Sequence, residues 1–248
     1  MAFPFPHISN KEKFEYTFLN EVALKVFPYK ELSEVNMGSI QTFFKQLFNL
    51  DFRDVHRRSM LDSRLKVGNH NSGVMFEFSK DSIQISIAQD YYNDFKLSML
   101  PILKNFVEAY THWFDSCKGI QLKFVDVWPL AEENHIDDDL LMTLEEAIFS
   151  SRLRNMAEKI DENFKGFNAE NDRLSVKMKF GYYISQNASQ SSGVALESRC
   201  ELIKPNLAVG EICGVASEMN DVLYDAFIWA VTTDITDAMK TPKIIYKE

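Results

Sequence analysis

The acidic stretch EENHIDDD, residues 132–139, is the densest group of side chains that could do chemistry in this chain. It places carboxylates on both sides of His135. Oxygen-rich clusters of this kind can hold a hard divalent cation, so a metal-dependent nuclease using these acids is one hypothesis for the function. The stretch lacks the glycine and the spacing of an EF-hand loop. A solvated connection, whose aspartates favour the start of the next helix, is the alternative interpretation.

A basic region at residues 53–70 is the second candidate. Arg57 and Arg58 form its centre, and Lys66 follows. Such side chains can contact the phosphates of a nucleic acid, although their spacing matches no known reader motif. An exposed strand edge followed by a turn is the alternative. The net charge of −9 argues against indiscriminate binding to nucleic acid.

Asp126 is the most informative single polar residue. It belongs to the stretch IQLKFVDVW, residues 120–128, whose apolar residues alternate along a predicted strand. The alternation puts Asp126 on the apolar face, where a carboxylate is costly unless it is paired or hydrogen-bonded. Either a bulge near Val125 turns it outward, or it is buried with a partner from the second half of the chain. A ligand contact is the functional alternative, and Lys123 on the same strand is a second candidate binding residue.

The stretch LYDAFIWAVTTDITDAM, residues 223–239, predicts a helix with a wide apolar face. Its polar group at Thr232, Thr233 and Asp234 lies mostly away from that face. Threonine on a helix surface is a weak helix former and does not indicate catalysis. Trp229 is the candidate binding residue here, because an exposed tryptophan would indicate a contact surface.

No motif in the chain assigns a catalytic residue. The sequence contains no G-x-S-x-G, no Walker loop and no G-x-G-x-x-G, and its three cysteines form no C-x-x-C pair. We therefore expect no cofactor and no structural metal, and we lean against an enzyme. The N-terminus does not resemble a signal peptide and no apolar run is long enough to span a membrane, so a cytoplasmic protein is expected.

Periodicity predicts an α+β fold in which strands are covered by helices. A first half (1–130) and a second half (131–248) are expected to meet at the polar connection 131–139 and to form a single compact unit. The predicted strands are 18–29, a hairpin at 73–88, 120–128, 174–185, VALESRCELI and GEICGVAS. The predicted helices are 39–48, 91–117 with an interruption at Pro101, 140–160, and a closing helix from Asn220.

Three segments together resemble the TIGR04255 family of bacterial proteins. They are FLNEVALKVFPY, the stretch DSIQISIAQDYYNDFKLSMLPILKNFVEAY with the following LKFVDVW, and LYDAFIWAVTTDITDAM. The chain departs from the family pattern at Lys123, where arginine is usual, at Asp126, where asparagine is usual, and at Val127. The family has no agreed catalytic residues, and its sporadic distribution implies a defence or toxin–antitoxin-like locus.

The favoured hypothesis is a non-enzymatic binding or assembly protein whose partner is another protein or a second copy of the chain. The nucleic-acid hypothesis for residues 53–70 and the nuclease hypothesis for residues 132–139 remain as alternatives. Loss of activity in EDTA would favour the nuclease, and salt-dependent binding would favour the nucleic-acid protein.

Limited proteolysis tests the predicted organisation. The first cuts are expected within 131–139 or 186–192, because polar connections between packed elements are the most accessible to a protease. Mass spectrometry of the early fragments locates them. Early cuts within 95–115 would contradict the predicted core helix.

Overall fold

Runs of strands and runs of helices follow one another along the part of the chain that a computed structural model describes. The described residues are 2–9, 11, 14, 18–29, 56–61, 64–69, 73–111, 114–129, 138–161, 163–183, 193–203 and 205–240. Both helices and antiparallel strands are abundant, which confirms the predicted α+β class.

The elements are numbered in chain order. The strands are β1 (Leu19–Pro28), β2 (His56–Leu61), β3 (Arg64–Asn69), β4 (Val74–Phe78), β5 (Ile83–Ala88), β6 (Ser116–Pro129), β7 (Glu158–Lys159), β8 (Phe164–Glu170), β9 (Leu174–Tyr183), β10 (Gly193–Leu202) and β11 (Leu207–Ala208). The helices are α1 (Leu100–Tyr110), α2 (Asp138–Ile148), α3 (Ser151–Met156), α4 (Ile212–Ala230) and α5 (Thr233–Lys240). The predicted helix 39–48 lies outside the described residues.

The chain divides into two units that do not follow the predicted boundary between residues 130 and 131. Unit 1 comprises Met1–Asn20, Phe124–Arg199 and Asp221–Glu248, and unit 2 comprises Glu21–Lys123 and Cys200–Asn220. The two ends of the chain thus belong to the same unit. The division differs because β6, β10 and α4 each contribute residues to both units. Most of the predicted connection 131–139 lies outside the described residues.

In unit 2 the strand order is β2-β3-β4-β5-β1-β6. The predicted hairpin is present as β4 and β5, which pair antiparallel. Its turn is closed by a hydrogen bond from Ser79 N to Ser82 O (2.9 Å). Alternate hairpin residues are buried, and the Phe76 ring lies 6.3 Å from that of Phe106 on α1. The helix therefore covers the apolar face of the hairpin, as the alternation predicts.

The predicted interruption at Pro101 takes the form of a π-helical turn. Residues Phe95–Met99 form this turn, and the regular helix α1 starts directly after it. Pro101 stands in the first turn of α1, where its missing N–H removes no helical hydrogen bond. Asp94 caps the π turn by accepting from Leu97 N (2.7 Å). The helix ends at Tyr110, earlier than the predicted residue 117.

In unit 1 the strand order is β6-β10-β9-β8-β7. The predicted strand at 174–185 is present as β9, and Val176, Met178 and Phe180 bury one face while Lys177 is exposed on the other. On neighbouring β8, Lys165 forms an ion pair with Glu145 of α2. Because Glu145 belongs to α2, this ion pair shows that α2 lies on the face of the sheet that carries the Lys165 side chain.

Two helix breaks in unit 1 face each other and exchange hydrogen bonds. The predicted helix 140–160 is interrupted between α2 and α3, and the closing helix is interrupted between α4 and α5. Ser150 N donates to Ala230 O (2.7 Å), and Thr232 N donates to Ile148 O (2.9 Å). These bonds flank an antiparallel bridge between Phe149 and Val231. Backbone groups released at each helix end are satisfied by the other break, which stabilises both interruptions.

Side chains complete this helix junction. Ser150 Oγ donates to Trp229 O (2.8 Å), and the same oxygen accepts from Leu153 N (3.3 Å) as the N-cap of α3. Thr232 Oγ1 donates to Ala147 O (2.7 Å). Thr232 therefore has a structural role, which agrees with the interpretation of the polar stretch as non-catalytic.

The strand prediction for GEICGVAS, residues 210–217, is wrong. A single helical turn at Val209–Glu211 leads into α4, which starts at Ile212 instead of near Asn220. The residues Ile212, Val215, Ala216, Met219 and Leu223 are all buried. Their spacing follows a helical stripe that continues into the apolar face predicted for the closing helix, and burial of that stripe outweighs the strand preference of the valine and isoleucine.

The helix junction predicts the effect of replacing Ser150. Ser150→Ala removes the N-cap of α3 and the bond to Trp229 O, so we expect a loss of about 1–2 kcal/mol in the free energy of unfolding. Urea denaturation measures this loss. Ser151→Ala, which changes an exposed neighbour, serves as the control. Equal stability of the two variants would contradict the assigned role of Ser150.

Candidate functional site

Asp126 lies on the buried face of β6, as the alternation of the strand predicts. On that face Leu122 and Trp128 are 0% and 6% exposed, Phe124 is half-buried, and Asp126 itself is 5% exposed. No bulge turns the carboxyl group outward. The predicted burial is confirmed, and the alternative of an outward bulge near Val125 is wrong.

The partner expected for a buried carboxylate is not seen. Among the described residues, no hydrogen bond or ion pair reaches Asp126. Burial raises the pKa of the Asp126 carboxyl from 3.8 to about 7, because the desolvated environment disfavours the charged form. A carboxyl group with this pKa is about half protonated at neutral pH and can donate a hydrogen bond in its acid form.

Trp128, two residues further along the same face, brings a second polar group into this interior. Its indole Nε1 is buried and has no hydrogen-bond partner among the described residues. Its ring lies 5.3 Å from the Phe18 ring and 5.7 Å from the Phe149 ring, and Phe149 continues to Phe180 (4.6 Å). The indole is thus fixed by aromatic packing while its N–H stays unsatisfied.

Ser198 supplies a third buried polar group. It lies on β10, the strand next to β6, and is 2% exposed. Within the described part of the chain its Oγ has no hydrogen-bond partner. Its neighbours on the same face of β10, Leu196 and Cys200, are completely buried.

The strand register brings Ser198 towards Asp126. Gln121 Nε2 donates to Glu201 Oε2 (3.1 Å), so these odd-numbered residues share the opposite, partly exposed face. From Ile120 onwards, the even-numbered residues of β6 therefore share a face with the even-numbered residues of β10. Regular antiparallel pairing from this contact makes Ser198 the diagonal neighbour of Asp126, at a typical separation of about 7–8 Å.

Asp126, Trp128 and Ser198 form what we call the buried polar trio. Leaving a buried donor or acceptor unsatisfied costs roughly 1–3 kcal/mol per group. Native proteins satisfy such groups with protein atoms, ordered water or a ligand. In this register Asp126 lies between the other two, and Ser198 is offset from Trp128 by four positions, roughly 13 Å along the strands, so a small molecule would have to span that distance to hydrogen-bond all three. Sequence patterning indicated Asp126, but a serine or tryptophan without a partner leaves no signal in a sequence.

Two other predicted binding residues have structural partners. Lys123 Nζ lies 2.8 Å from Glu21 Oε2 and its side chain is 21% exposed. Trp229 is 6% exposed, and its ring packs against those of Phe5 (6.1 Å) and Phe167 (5.1 Å). The exposure that would have indicated a contact surface at Trp229 is therefore absent, because Phe5 of the N-terminal segment and Phe167 of β8 cover the indole.

The basic region contains the backbone of Arg57 and Arg58 in β2. Arg57 pairs with Val67 and Arg58 with Lys66 across the β2–β3 ladder. The side chains of both arginines lie outside the described part of the chain. The interpretation of residues 53–70 as a sheet edge agrees with β2, which ends the strand order of unit 2.

The acidic stretch at 132–139 lies almost entirely outside the described residues. Its last residue, Asp139, is exposed in the first turn of α2. No group of three or more histidine, cysteine or acidic side chains that could hold a metal occurs among the residues that the structure describes.

A second buried aspartate, Asp225 on α4, contrasts with Asp126. Its Oδ2 lies 2.8 Å from His7 Nδ1, and its Oδ1 accepts from Ile8 N (3.2 Å). Both carboxylate oxygens therefore have partners in the N-terminal segment. This pair, which sequence analysis missed, fastens the segment to α4, and the exposed His7 ring lies on its outer side.

Comparisons with known proteins add little. No protein-family model matches the chain, and no curated protein matches it. The resemblance to the TIGR04255 family therefore stays a prediction. One solved structure, the di-domain ARO/CYC BexL from the BE-7585A biosynthetic pathway, aligns with 84% of this chain and 98% of its own. Its sequence identity is 6% and its TM-score 0.17, values too low to support any conclusion about this chain. In the described ranges no helix is long and apolar enough to cross a membrane.

The raised pKa of Asp126 predicts how stability depends on pH. The folded state holds this proton more tightly than the unfolded state, so the contribution is fully present below pH 3.8 and is lost as the pH rises through about 7. The rise of this pKa from 3.8 to about 7 sets an upper limit of about 4 kcal/mol on the contribution. Asp126→Asn lacks this contribution. Thermal or urea denaturation of wild type and variant between pH 4 and pH 8 measures the difference.

Asp126→Leu extends this test, with Asp139→Asn as the exposed control. We expect Asp126→Leu to be more stable than wild type at pH 8, because it removes a buried ionised group that has no observed partner. Destabilisation by 1–3 kcal/mol at pH 8 would instead reveal a partner left unsatisfied by the change.

Proposed function

We propose that this protein is a non-enzymatic binding protein that holds a small molecule at the buried polar trio. The observation that carries the proposal is that two buried groups without a hydrogen-bond partner among the described residues, Trp128 Nε1 and Ser198 Oγ, lie on the same face of two neighbouring strands as the buried carboxyl group of Asp126. Binding sites for small molecules are typically apolar interiors with a few polar groups that fix the ligand. The aromatic packing around Trp128 and the polar atoms of the trio fit that description.

The chemistry of the trio favours binding over catalysis. Covalent catalysis needs a nucleophile next to a base that is itself oriented by a third group. Of the three side chains only Asp126 titrates near neutral pH, and Ser198 has no hydrogen-bonded base within the described part of the chain. Hydrogen bonding to a ligand needs neither a nucleophile nor a base, since positioned donors and acceptors are sufficient.

The biological setting is proposed on the resemblance to the TIGR04255 family alone. We place the protein in the cytoplasm, as an accessory component of a bacterial defence or toxin–antitoxin-like locus. Association with another protein or with a second copy of the chain is compatible with a ligand-binding role. The partner would then respond to whether the site is filled.

A thermal-shift screen against a chemically diverse small-molecule library tests the proposal. A ligand at 100 times its Kd adds about 2.7 kcal/mol to the free energy of unfolding, which raises Tm by roughly 5–10 °C in a protein of this size. We expect compounds that raise Tm of the wild type and of Asp139→Asn. The same compounds should give a much smaller shift with Asp126→Leu and with Ser198→Ala.

The screen also distinguishes a ligand from ordered water. If water alone satisfies the trio, no compound will depend on Asp126 or Ser198. Compounds that stabilise wild type and both trio variants equally would place binding elsewhere. Either result would contradict the proposed function.

A further inference from the structure

One face of α4 is occupied by the N-terminal segment, by which we mean the described residues 2–9, 11 and 14. Asp221, Asp225 and Trp229 follow one another at intervals of four residues, so they lie on the same side of the helix. Tyr224 borders them. These four side chains form what we call the acidic–aromatic face of α4. The segment and this face both belong to unit 1.

The first half of the segment covers the C-terminal part of this face. Phe5 is 6% exposed, and its ring lies 6.1 Å from that of Trp229. His7 Nδ1 lies 2.8 Å from Asp225 Oδ2, and Ile8 N donates to Asp225 Oδ1 (3.2 Å). The segment therefore covers the indole and provides partners for both oxygens of a buried carboxyl group.

The second half of the segment continues towards the N-terminal end of α4. Lys11 Nζ donates to Asp221 Oδ1 and lies 5.3 Å from the centre of the Tyr224 ring. The Phe14 ring lies 6.1 Å from the same tyrosine. The segment thus runs antiparallel to the helix. Because the ammonium group of Lys11 meets a carboxylate, the segment and the face are complementary in charge as well as in aromatic contact.

The segment is attached without a backbone ladder. Within the described ranges, no backbone-to-backbone hydrogen bond joins it to the rest of the chain. Pro4 and Pro6 lack the N–H that such bonds would require. The contacts described above are made by side chains, apart from the bond that Ile8 N donates. The segment can therefore leave the face without breaking a sheet or a helix, at a lower free energy than unfolding of the whole protein.

An empty acidic–aromatic face would be unfavourable. Asp225 is 4% exposed, and without the segment its carboxyl group would lose both partners. Trp229 would lose the covering ring of Phe5. A buried polar group without a partner and an uncovered indole both carry a cost in free energy. The segment of a second copy avoids this cost, because it presents the same residues in the same order.

We propose that the acidic–aromatic face of α4 is an interaction surface through which two copies of this chain associate by exchanging their N-terminal segments. Each segment then lies on α4 of the other copy and makes the same contacts there. Such exchange is a low-cost route to a dimer. Protein concentration decides between monomer and dimer, since a tethered segment has an effective concentration on the order of millimolar. The exchange does not depend on whether the buried polar trio holds a ligand.

Mixing two charge-reversed variants of the full chain tests the exchange. Lys11→Glu repels its own Asp221, and Asp221→Lys repels its own Lys11, so the closed monomer of each variant is weakened. In a mixed dimer with exchanged segments, both contacts pair opposite charges again. We expect analytical ultracentrifugation of the 1:1 mixture to give a dissociation constant for the dimer roughly tenfold lower than that of wild type. Each variant alone should stay monomeric at the same concentration.

Controls show whether the contact itself is responsible. The side chains of Lys11 and Asp221 are 25% and 49% exposed, so reversing either charge leaves the fold intact. A chain that carries both changes regains the closed monomer and should dimerise no more than wild type. Mixing Lys118→Glu with Asp234→Lys reverses two exposed charges on β6 and α5, and should also give no more dimer than wild type.

A peptide separates the face from the second copy as its occupant. A fluorescent peptide with the sequence of residues 2–14 should bind Lys11→Glu more tightly than wild type, because the variant's own segment competes less well. If this peptide binds but the charge-reversed mixture gives no dimer, a second copy does not reach the face, and the exchange is wrong. If neither the peptide nor the mixture associates, the segment is fixed in its own chain. A dimer that forms equally in the Lys118→Glu and Asp234→Lys mixture would place the contact on another surface.

Discussion

A pleated strand sends alternate side chains to opposite faces, and from Ile120 to Trp128 β6 keeps to this rule even though one of its buried positions holds an aspartate. Leu122, Asp126 and Trp128 all lie on the buried face. Slipping the strand by one residue would bury Lys123 in exchange for Asp126 and expose its apolar neighbours, at a much greater cost. The apolar side chains of the strand therefore determine which face its polar side chains occupy. The candidate site exists because the register of β6 leaves Asp126 no other place.

The two buried aspartates differ in whether other residues of the protein occupy the oxygens of the carboxyl group. Asp225 has both oxygens in contact with hydrogen-bonding partners, His7 Nδ1 and Ile8 N, so its hydrogen-bonding capacity is used where it lies. Asp126 has no such partner among the described residues, and burial raises its pKa to about 7. A satisfied carboxylate fastens two segments together. A carboxyl group that remains available near neutral pH can respond to a proton or to a ligand, which makes Asp126 the more informative of the pair.

The helix junction of unit 1 limits how far the helices around the site can shift. The breaks at Ser150 and Thr232 satisfy each other's backbone groups, so either break alone would leave buried N–H and C=O groups unpaired. Phe149 stands in this junction, and its ring packs against both Trp128 and Phe180. The same contacts that end the helices therefore hold the indole of the candidate site in place.

The sequence by itself determined the elements whose pattern is local. The hairpin of β4 and β5 and the strands β1, β6 and β9 follow from a two-residue alternation that needs no knowledge of the partner, whereas the sequence left open whether Asp126 is buried or turned outward by a bulge. Only the tertiary structure decided where the helices break, because Ser150 and Thr232 are 82 positions apart and the backbone hydrogen bonds that satisfy each break come from the other. The tertiary structure also decided that GEICGVAS is helical, because the burial of Ile212, Val215 and Ala216 depends on the elements that cover them. Whether Asp126 has a partner, whether Trp229 is covered and whether Ser198 is satisfied depend on contacts between distant segments. Periodicity within a strand or helix shows which face is buried. Only the tertiary packing shows which residues that face contacts.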